Sequence, residues 1–219
     1  MAVGQTDEVP EALFHFDEVT VRFGDRVAID RVTAQVHDGG VTVLLGPSGS
    51  GKSTLLRCCN RLVVPSSGRI LLRGRDLAAM DPIGLRRRVG MVFQRPTPFP
   101  GTVFDNLRVA DPELSRIAAT ELLGTVALGG SMLDREATEL SGGEAQRVCL
   151  ARTLATGCEV VLADEITSSL DASAAAQVER TVRSLADHGR PVLWVTHDVV
   201  QAERLADHEL RIEEGRVAD

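Results

Sequence analysis

The first part of the chain shows the alternation of hydrophobic and polar positions that is typical of strands. Residues 13–23 (LFHFDEVTVRF) and 26–36 (RVAIDRVTAQV) alternate in part, as half-buried antiparallel strands do. Residues 41–45 (VTVLL) form a continuous β-branched run, which is typical of a strand buried on both faces. The pattern therefore predicts an antiparallel pair followed by a core strand.

Helical spacing begins after this core strand. The sequence predicts a helix over residues 53–62 and a hairpin over residues 68–77, with Gly74 at its turn. It predicts further helices over residues 115–128 and 143–157. Buried strands and helices then alternate, with the strands at residues 159–164, 191–197 and 209–217. Such alternation indicates an α/β fold with a mostly parallel sheet that is covered by helices.

One stretch interrupts this alternation. Residues from about 95 to 145 show no strand pattern, so we expect an inserted α-helical subdomain there. It opens with what we call the proline segment, residues 95–106 (RPTPFPGTVFDN). Three alternating prolines exclude a helix interior or a central strand, so this segment is a stiff, irregular connector.

Composition and charge favour a folded protein that does not bind nucleic acid. Hydrophobic residues make up 43% of the 219 residues, which is enough for a normal core. Lys+Arg 24 against Asp+Glu 31 gives a net charge of −7, whereas nucleic-acid binders usually carry a basic face. The local cluster Arg86–Arg88 is interpreted as a solvated helix face.

The cysteine spacing indicates a reducing compartment, and the hydropathy pattern predicts neither a signal peptide nor a membrane span. Cys58, Cys59, Cys149 and Cys158 have no CxxC spacing, so buried free thiols are expected in place of a zinc site. Residues 1–12 are polar and acidic, which predicts a flexible leader and no signal peptide. No run of 18 apolar residues predicts a membrane span, so we expect a cytosolic protein whose membrane role needs a partner.

The stretch GPSGSGKST, residues 46–54, fits the phosphate-loop pattern G-x-x-x-x-G-K-[ST] between a predicted strand and a predicted helix. Backbone N–H groups of such a loop surround phosphates, and the helix N-terminus adds positive potential. Lys52 is expected to reach the β- and γ-phosphates, and the Ser53 hydroxyl to ligate Mg²⁺. This context favours a nucleotide site over a glycine-rich turn. The predicted cofactor-binding residues here are Gly46, Pro47, Ser48, Gly49, Ser50, Gly51, Lys52, Ser53 and Thr54.

A second acidic site follows the apolar run VVLA. Asp164 and Glu165 stand at the end of this predicted strand, where open α/β sheets bind ligands. Asp164 suits Mg²⁺ coordination, and Glu165 suits a general base that polarises the attacking water. Alone, a strand ending in Asp-Glu is usually structural; together with the phosphate loop it predicts the second half of a nucleoside triphosphate site.

The stretch LSGGEAQRV, residues 140–148, decides between nucleotide-hydrolysing families. It resembles the signature sequence of ATP-binding cassette (ABC) ATPases, and it lies just before Asp164 and Glu165, as in that family. Further matches cover nearly the whole chain. They are Phe23 for the adenine-stacking aromatic, Gln94 for the glutamine that senses Mg²⁺ and the γ-phosphate, residues 168–171 (SSLD) for the loop that meets the opposite subunit, and His197 for the switch histidine.

Taken singly, these residues have plainer interpretations. Phe23 alone would be a core aromatic, and His197 alone a satisfied histidine at a strand end. Ser141, Gly142 and Gly143 alone would be a helix N-cap and turn, although a helix N-terminus is also a phosphate site. Because all these motifs occur in the family's order, the resemblance favours an ABC ATPase over an unrelated P-loop kinase or GTPase.

The resemblance implies a P-loop NTPase (RecA-like) core with an antiparallel β subdomain and an inserted α-helical subdomain. It places the core with its β subdomain at residues 13–94 and 146–219, and the helical subdomain at residues 95–145. It also implies ATP and Mg²⁺ as cofactors and a homodimer that holds two ATP molecules between its subunits. The implied catalytic residues are Glu165, His197, Gln94 and Lys52; the metal ligands are Ser53, Gln94 and Asp164; the partner subunit's ATP meets Ser141, Gly142 and Gly143.

Three positions depart from the family pattern. Glu144 stands in the signature where glutamine is usual, Ile166 follows Glu165 where proline is usual, and Phe23 replaces the commoner tyrosine. Stacking on adenine needs only a π face, so Phe23 is expected to serve. None of the three changes removes a phosphate, metal or water ligand. We therefore expect an active ATPase.

The resemblance implies an ABC transporter subunit that acts with separate membrane-spanning permease subunits, at the cytoplasmic face of the membrane. The alternative of another class is a soluble ABC ATPase in DNA repair or translation. Such proteins usually carry a coiled-coil insertion or two cassettes, and this sequence shows neither. The proline segment follows Gln94, and we expect it to form part of the surface that docks on the membrane partner.

The sequence around the proline segment points to two kinds of solute. Residues 89–100 (VGMVFQRPTPFP) are similar to phosphate-import ATPases. Residues 101–107 (GTVFDNL), 143–155 and 192–198 are more similar to a short-cassette group that includes bacterial iron-export ATPases and the plant aluminium-tolerance cassette. The sequence interpretation favours metal export or homeostasis and keeps phosphate import as the alternative.

Overall fold

A computed structural model of the chain describes residues 12–218. All but the last residue of the predicted leader, residues 1–12, therefore lies outside the described residues. Strands β1 and β2 form the antiparallel pair that their alternating sequences predict, joined by a two-residue turn at Gly24. Two further strands extend this pair into a four-stranded antiparallel sheet in the order β2-β1-β4-β5. Its members are β1 (Ala12–Phe23), β2 (Arg26–His37), β4 (Ser67–Leu72) and β5 (Arg75–Asp76).

A second sheet has six strands in the order β10-β9-β3-β8-β7-β6. Its strands pair in parallel except for the hairpin of β9 and β10 at one edge. This arrangement confirms the mostly parallel sheet that the alternation of strands and helices predicts. The strands are β3 (Val41–Leu45), β6 (Val89–Val92), β7 (Val160–Asp164), β8 (Val192–Thr196), β9 (His208–Glu213) and β10 (Arg216–Val217).

The three central strands β3, β7 and β8 are buried along their whole length because both faces of the sheet are covered. Val43 and Trp194 point into a core shared with helices, whereas Leu44 and Leu193 point into a core shared with the antiparallel sheet and α1. Continuous apolar strands are the expected consequence of this two-sided burial. The helices are α1 (Lys52–Cys58), α2 (Pro82–Arg88), α3 (Val103–Arg108), α4 (Arg116–Thr125), α5 (Gly142–Ala155), α6 (Ala172–Asp187) and α7 (Val199–Leu205).

Two helices end earlier than the sequence predicts, and for the same reason. Helix α1 stops at Cys58, four residues before the predicted end, and α4 stops at Thr125, three residues early. In each case a residue with positive φ, Arg61 or Ala127, reverses the chain, and the next N–H bonds back across the last turn. Glycine usually occupies this position of a helix end. Because neither helix has one there, hydrophobic spacing alone extends both helices too far.

Residues 93–141 contain α3, α4 and two short 3₁₀ segments, and their only described strand pairing is a single bridge between Thr102 and Glu136. Helix α5 then runs without a break through residue 145. The predicted boundary between helical subdomain and core at residue 145 therefore falls inside one continuous helix. Its first turn carries the signature residues, and its later turns pack near β6.

The four cysteines are free and buried, as predicted from their spacing. Burial raises the pKa of all four thiols, and that of Cys58 to about 12.

Of the basic cluster, Arg86 and Arg87 are exposed at the end of α2, while Arg88 pairs with Glu159 at 2.6 Å. Within residues 12–218, no helix combines the length and the apolar character that crossing a membrane requires.

Asp207 fixes the start of the central strand β3, which gives a test of the fold. Its carboxylate accepts the buried N–H of Val41 at 2.7 Å and pairs with Arg183 at 2.8 Å. We expect Asp207→Ala to lower the free energy of unfolding by about 1–3 kcal/mol, because it leaves that N–H without a partner. Asp187→Ala, which removes only the exposed partner of Arg183, should cost under about 0.5 kcal/mol. Urea denaturation measures both, and equal losses would contradict the role of Asp207.

The same pair of variants predicts a pH dependence. Burial raises the pKa of Asp207, but the Val41 N–H and the Arg183 guanidinium outweigh it, so the pKa lies below its ordinary value. A carboxyl with a depressed pKa stabilises the fold above its unfolded pKa of about 3.9 and loses that contribution as pH falls through the folded value. The deficit of Asp207→Ala should therefore be constant near neutral pH and shrink in acid.

Candidate functional site

The loop of residues 46–54 connects β3 to α1 and packs closely against two other strands. A Cβ on Gly46 would overlap the carbonyl oxygen of Ile212 in β9, and one on Gly51 would meet that of Ala28 in β2. Both glycines have positive φ, of 154° and 107°. Side chains rarely adopt such values, so the path of this loop requires glycine at both positions.

Lys52 lies over this loop with its side chain almost fully buried. Its ammonium donates to the carbonyl oxygens of Gly46 at 2.8 Å and Pro47 at 2.7 Å. Burial lowers the pKa of Lys52, and the carboxylates of Glu165 and Asp164 oppose that shift. An ammonium carries three protons, so Lys52 keeps one for an oxygen placed within the loop.

The remaining loop residues form an open recess beside the β1–β2 hairpin. Pro47, Ser48, Gly49 and Ser50 line it together with Val27 of β2, and Thr54 follows in α1. The buried Ser50 hydroxyl has no hydrogen-bond partner among the described residues. Asp30, Glu213, Glu214 and Arg216 also line the recess. A buried hydroxyl without a partner is a donor that a phosphate oxygen in this loop would satisfy.

Phe23 lies at the end of β1, where its ring is 54% exposed. Its neighbour Arg22 pairs with Val27, which lines the recess beside the loop. The structure therefore places an exposed aromatic face near the phosphate loop. Among residues 12–218, no hydrogen bond or ring contact joins Phe23 to that loop.

Asp164 is buried at the end of β7, where two groups hold its carboxylate. Ser53 donates its hydroxyl to one oxygen at 2.5 Å, and Arg57 donates to the other at 2.9 Å. The carboxylate is 3% exposed, so it depends on these partners for stability. The sequence interpretation missed Arg57, which stands one turn after Ser53 on α1 and 107 residues from Asp164.

Glu165 follows directly and has a left-handed backbone with φ of 47°, which is unusual for a glutamate. Its carboxylate lies 3.4 Å from the amide nitrogen of Gln94 and 3.4 Å from Nδ1 of His197. Gln94 also donates to Ser168 at 3.2 Å. The structure thus brings the predicted base, glutamine and histidine together at one edge of the sheet. Strain of this kind is typical of functional positions.

The signature residues form a separate group on the surface. Ser141 caps α5 by accepting the N–H of Glu144 at 3.3 Å, and the Glu144 carboxylate accepts the N–H of Ser141 at 2.9 Å. This capping box lowers the pKa of Glu144. Ser141, Gly142 and Gly143 line a recess with residues 169–171, apart from the one beside the phosphate loop. Within one chain, the described residues do not bring the signature to the phosphate loop.

A buried hydrogen-bond network that the sequence interpretation missed supports the histidine side of the site. Gln201 on α7 accepts from the indole of Trp194 at 3.2 Å and donates to Thr167 at 2.9 Å and Glu179 at 2.8 Å. Thr167 lies two residues after Glu165, and Trp194 three residues before His197. The network therefore ties the two segments that carry the base and the histidine.

Helix α5 also holds the proline segment in place. Gln146 donates to the carbonyl of Phe93 at 3.1 Å, and Arg152 donates to that of Thr97 at 3.2 Å. Arg152 lies over the ring of Phe99, 4.4 Å from its centre. The buried Asn106 bonds to both the N–H and the carbonyl of Phe99. The segment is therefore fixed to the helix whose first turn carries the signature.

The ABC transporter family model matches residues 29–168 of the chain. Protein STAR1 of Oryza sativa subsp. japonica is 44% identical over 194 residues, which are 86% of this chain and 56% of that protein. This chain thus spans little more than half the length of that relative. The phosphate import ATP-binding protein PstB of Thermotoga maritima is 35% identical over 216 residues, covering 90% of this chain and 85% of PstB.

Solved structures with the same fold are also similar to the chain. CbiO1 from Clostridium perfringens, part of the ABC transporter complex CbiONQ, matches with a TM-score of 0.85 and 26% identity, covering 95% of this chain and 88% of CbiO1. A bacterial Atm1-family ABC exporter with ATP bound matches with a TM-score of 0.85 and 30% identity, covering 94% of this chain and 38% of the exporter chain.

Proposed function

The chain belongs to the ABC transporter family as an ATP-hydrolysing member, and from this premise we propose how its residues bind ATP, pair with a second copy and drive a membrane partner. The family and the P-loop NTPase fold inferred from the sequence are confirmed by the family model and the solved structures. The observation that carries the proposal is the convergence of Lys52, Asp164, Glu165 and His197 at the phosphate loop.

In this proposal, the phosphates of ATP lie in the loop of residues 46–54, with Lys52 donating to the β- and γ-phosphates and Phe23 stacking on adenine. Glu165 accepts a proton from the water that attacks the γ-phosphorus, and ADP leaves as the bridging bond breaks. Gln94 and His197, both within 3.4 Å of the Glu165 carboxylate, hold the base and the water in line.

The donor set fits Mg²⁺, which prefers hard oxygen ligands. Ser53 and Asp164 present a hydroxyl and a carboxylate 2.5 Å apart, and Gln94 adds an amide oxygen on a neighbouring segment. We propose these three residues as the protein's contribution to the metal site. When bound, Mg²⁺ would neutralise charge on the phosphates, while Arg57 keeps Asp164 oriented.

We propose that two copies of the chain complete each other's ATP sites. The signature residues and the phosphate loop of one chain line separate recesses. Ser141 and Gly142 are exposed at the N-terminus of α5, where the Ser141 hydroxyl, the glycine N–H groups of the first turn and the helix dipole favour a phosphate. A γ-phosphate bound by the other copy would accept hydrogen bonds from the Ser141 hydroxyl and from these N–H groups.

The proline segment is the proposed docking site for a membrane-spanning permease subunit. It borders a cavity of about 250 Å³ lined in part by Phe93, Thr97, Phe99, Val109 and Arg152. Phe99 and Val109 are 45% and 60% exposed and border the same cavity, so together they offer a partner one apolar contact. The cavity adjoins the proposed helical subdomain, residues 95–145, and would place the subunit at the cytoplasmic face of the membrane.

For the solute, we propose phosphate as the first candidate and a metal ion such as iron as the second. Relatives named for phosphate import match over almost the whole chain, including PstB of Mycobacterium intracellulare at 39% identity over 92% of this chain. Residues 89–100, which lead into the proline segment, are also similar to phosphate-import ATPases. On these grounds we place phosphate ahead of the metal ion that the sequence interpretation favours. Metal homeostasis rests on the similarity of residues 101–107 and 143–155 to the short-cassette group.

Glu165→Gln tests the proposed base and the dimer together. The variant keeps the shape and hydrogen-bond capacity of the side chain but cannot accept a proton, so ATP turnover should fall by about 10²-fold or more. ATP should then hold the two copies together, which analytical ultracentrifugation measures as a stable dimer. Lys52→Ala is the matched control, since it should lose ATP affinity and stay monomeric. A Glu165→Gln monomer with normal turnover would contradict the proposal.

Reconstitution with a permease tests docking and solute in one experiment. In proteoliposomes with a permease encoded beside this chain, ATPase activity should rise when phosphate is added. A rise with ferrous iron in place of phosphate would favour the metal ion as the solute. The double variant Pro98→Ala, Phe99→Ala should lose that stimulation because it removes the apolar contact, whereas Ile117→Ala, at an exposed residue outside the cavity, should keep it. Full stimulation in the double variant would refute docking at the proline segment. Recovery of no complex would favour a soluble ABC ATPase.

A further inference from the structure

We propose that Arg135 is a positioning residue that neutralises Glu144, so that the signature can accept a phosphate. The inference rests on the proposed function, in which the first turn of α5 binds the γ-phosphate of the other copy's ATP. It explains how a carboxylate can stand inside a turn that must bind an anion.

The geometry assigns Glu144 two partners. One carboxylate oxygen accepts the N–H of Ser141 at 2.9 Å, which closes the capping box. The other pairs with Arg135 Nη1 at 2.9 Å. Glu144 lines the signature recess, and Arg135 reaches it from the preceding segment. The side chains of Arg135 and Glu144 are 42% and 24% exposed, so the pair is partly shielded from water.

Arg135 is itself held by the segment that precedes the signature. Its guanidinium also approaches the carbonyl of Glu139 at 3.5 Å and the sulfur of Met132 at 3.2 Å. Its own carbonyl accepts the N–H of Val103, the first residue of α3, at 2.9 Å. These contacts place the charge beside the cap independently of any nucleotide.

The negative charge of Glu144 must be paired if the signature is to bind a phosphate. Glu144 stabilises α5 as a helix, because a carboxylate in the first turn complements the helix dipole. The same negative charge repels a γ-phosphate that approaches Ser141, and desolvation in a closed dimer strengthens that repulsion. A paired guanidinium cancels the charge and leaves the capping bond in place. A neutral residue of the same length would cap without needing the arginine.

Two other charged residues line the recess, Arg147 and Asp171. The Asp171 carboxylate accepts the N–H groups of Ser173 and Ala174, which cap α6. Arg147 lies one turn further along α5, with its guanidinium close to Gly143. Among residues 12–218, no hydrogen bond or ion pair joins it to Glu144. Arg147 therefore adds to the local potential but does not neutralise the capping carboxylate, which is left to Arg135.

The test is a charge-rescue cycle in the Glu165→Gln background, with the Mg-ATP concentration at half-maximal dimerisation as the readout. Arg135→Ala should raise that concentration about tenfold, the size expected for one unpaired charge facing an anion. Adding Glu144→Gln to it should restore the value to within about twofold of Glu144→Gln alone. The Arg135→Ala defect should also shrink between about 0.05 and 0.5 M NaCl, since salt screens repulsion.

Arg116→Ala is the matched control, because Arg116 forms an equally close exposed ion pair with Asp134 nearby and does not touch the signature. It should leave the half-maximal concentration unchanged. If the double variant dimerises as weakly as Arg135→Ala, the role of Arg135 is structural and the inference is wrong. If Arg135→Ala does not fold, Glu144→Gln alone decides, since a weakened dimer would overturn the inference.

A failure of the proposed function would give a different experimental result from a failure of the role of Arg135. A Glu165→Gln parent that never dimerises with ATP would reject both the shared ATP site and the role of Arg135. A parent that dimerises while Arg135→Ala behaves like the parent would reject the role of Arg135 alone.

Discussion

Strands β3, β8 and β7 run parallel in register, so their carboxyl ends lie along one edge of the sheet. Leu45 pairs with Thr196, and Asp164 with Val195. The phosphate loop leaves the first strand, His197 follows the second, and Glu165 follows the third. The distances between these strand ends in the proposed ATP site depend on this register, because a slip of one residue would exchange the two faces of each strand. All three strands are buried at every position, so close packing around side chains of different size, such as Leu193 and Trp194, opposes such a slip.

Helix α5 carries this local arrangement to the rest of the molecule. Its first turn bears the signature, its middle holds Phe93 through Gln146, and its last turn holds the proline segment through Arg152. A displacement of the signature must therefore move the proposed docking surface with it, since a helix transmits motion along its axis with little bending. Gln94, which follows Phe93, connects the same helix to Glu165. In the proposed function, the signature and the docking surface therefore lie at the two ends of one helix.

Patterns local in the sequence predicted most of the strands, the phosphate loop and the edge at which Asp164 and Glu165 stand. They missed β6 and gave the hairpin of β9 and β10 as a single strand. What local patterns could not show are contacts between distant segments. Arg57 and Asp164 are 107 residues apart, and no spacing rule joins them. The helix ends at Arg61 and Ala127 were missed because the left-handed position lacks its usual glycine. Glu144 appeared only as a departure from the family pattern, and its pairing with Arg135 depends on how the preceding segment folds back.

The chain has one tryptophan and no tyrosine, so its near-ultraviolet emission comes from Trp194 alone. That indole is fully buried, is bonded to Gln201, and stands three residues before His197. A change in the network around Gln201 during a catalytic cycle alters the polarity at a single chromophore. The molecule therefore contains an intrinsic fluorescent probe of the segment that leads to His197, and conformational steps there can be timed by stopped-flow fluorescence without attaching a label.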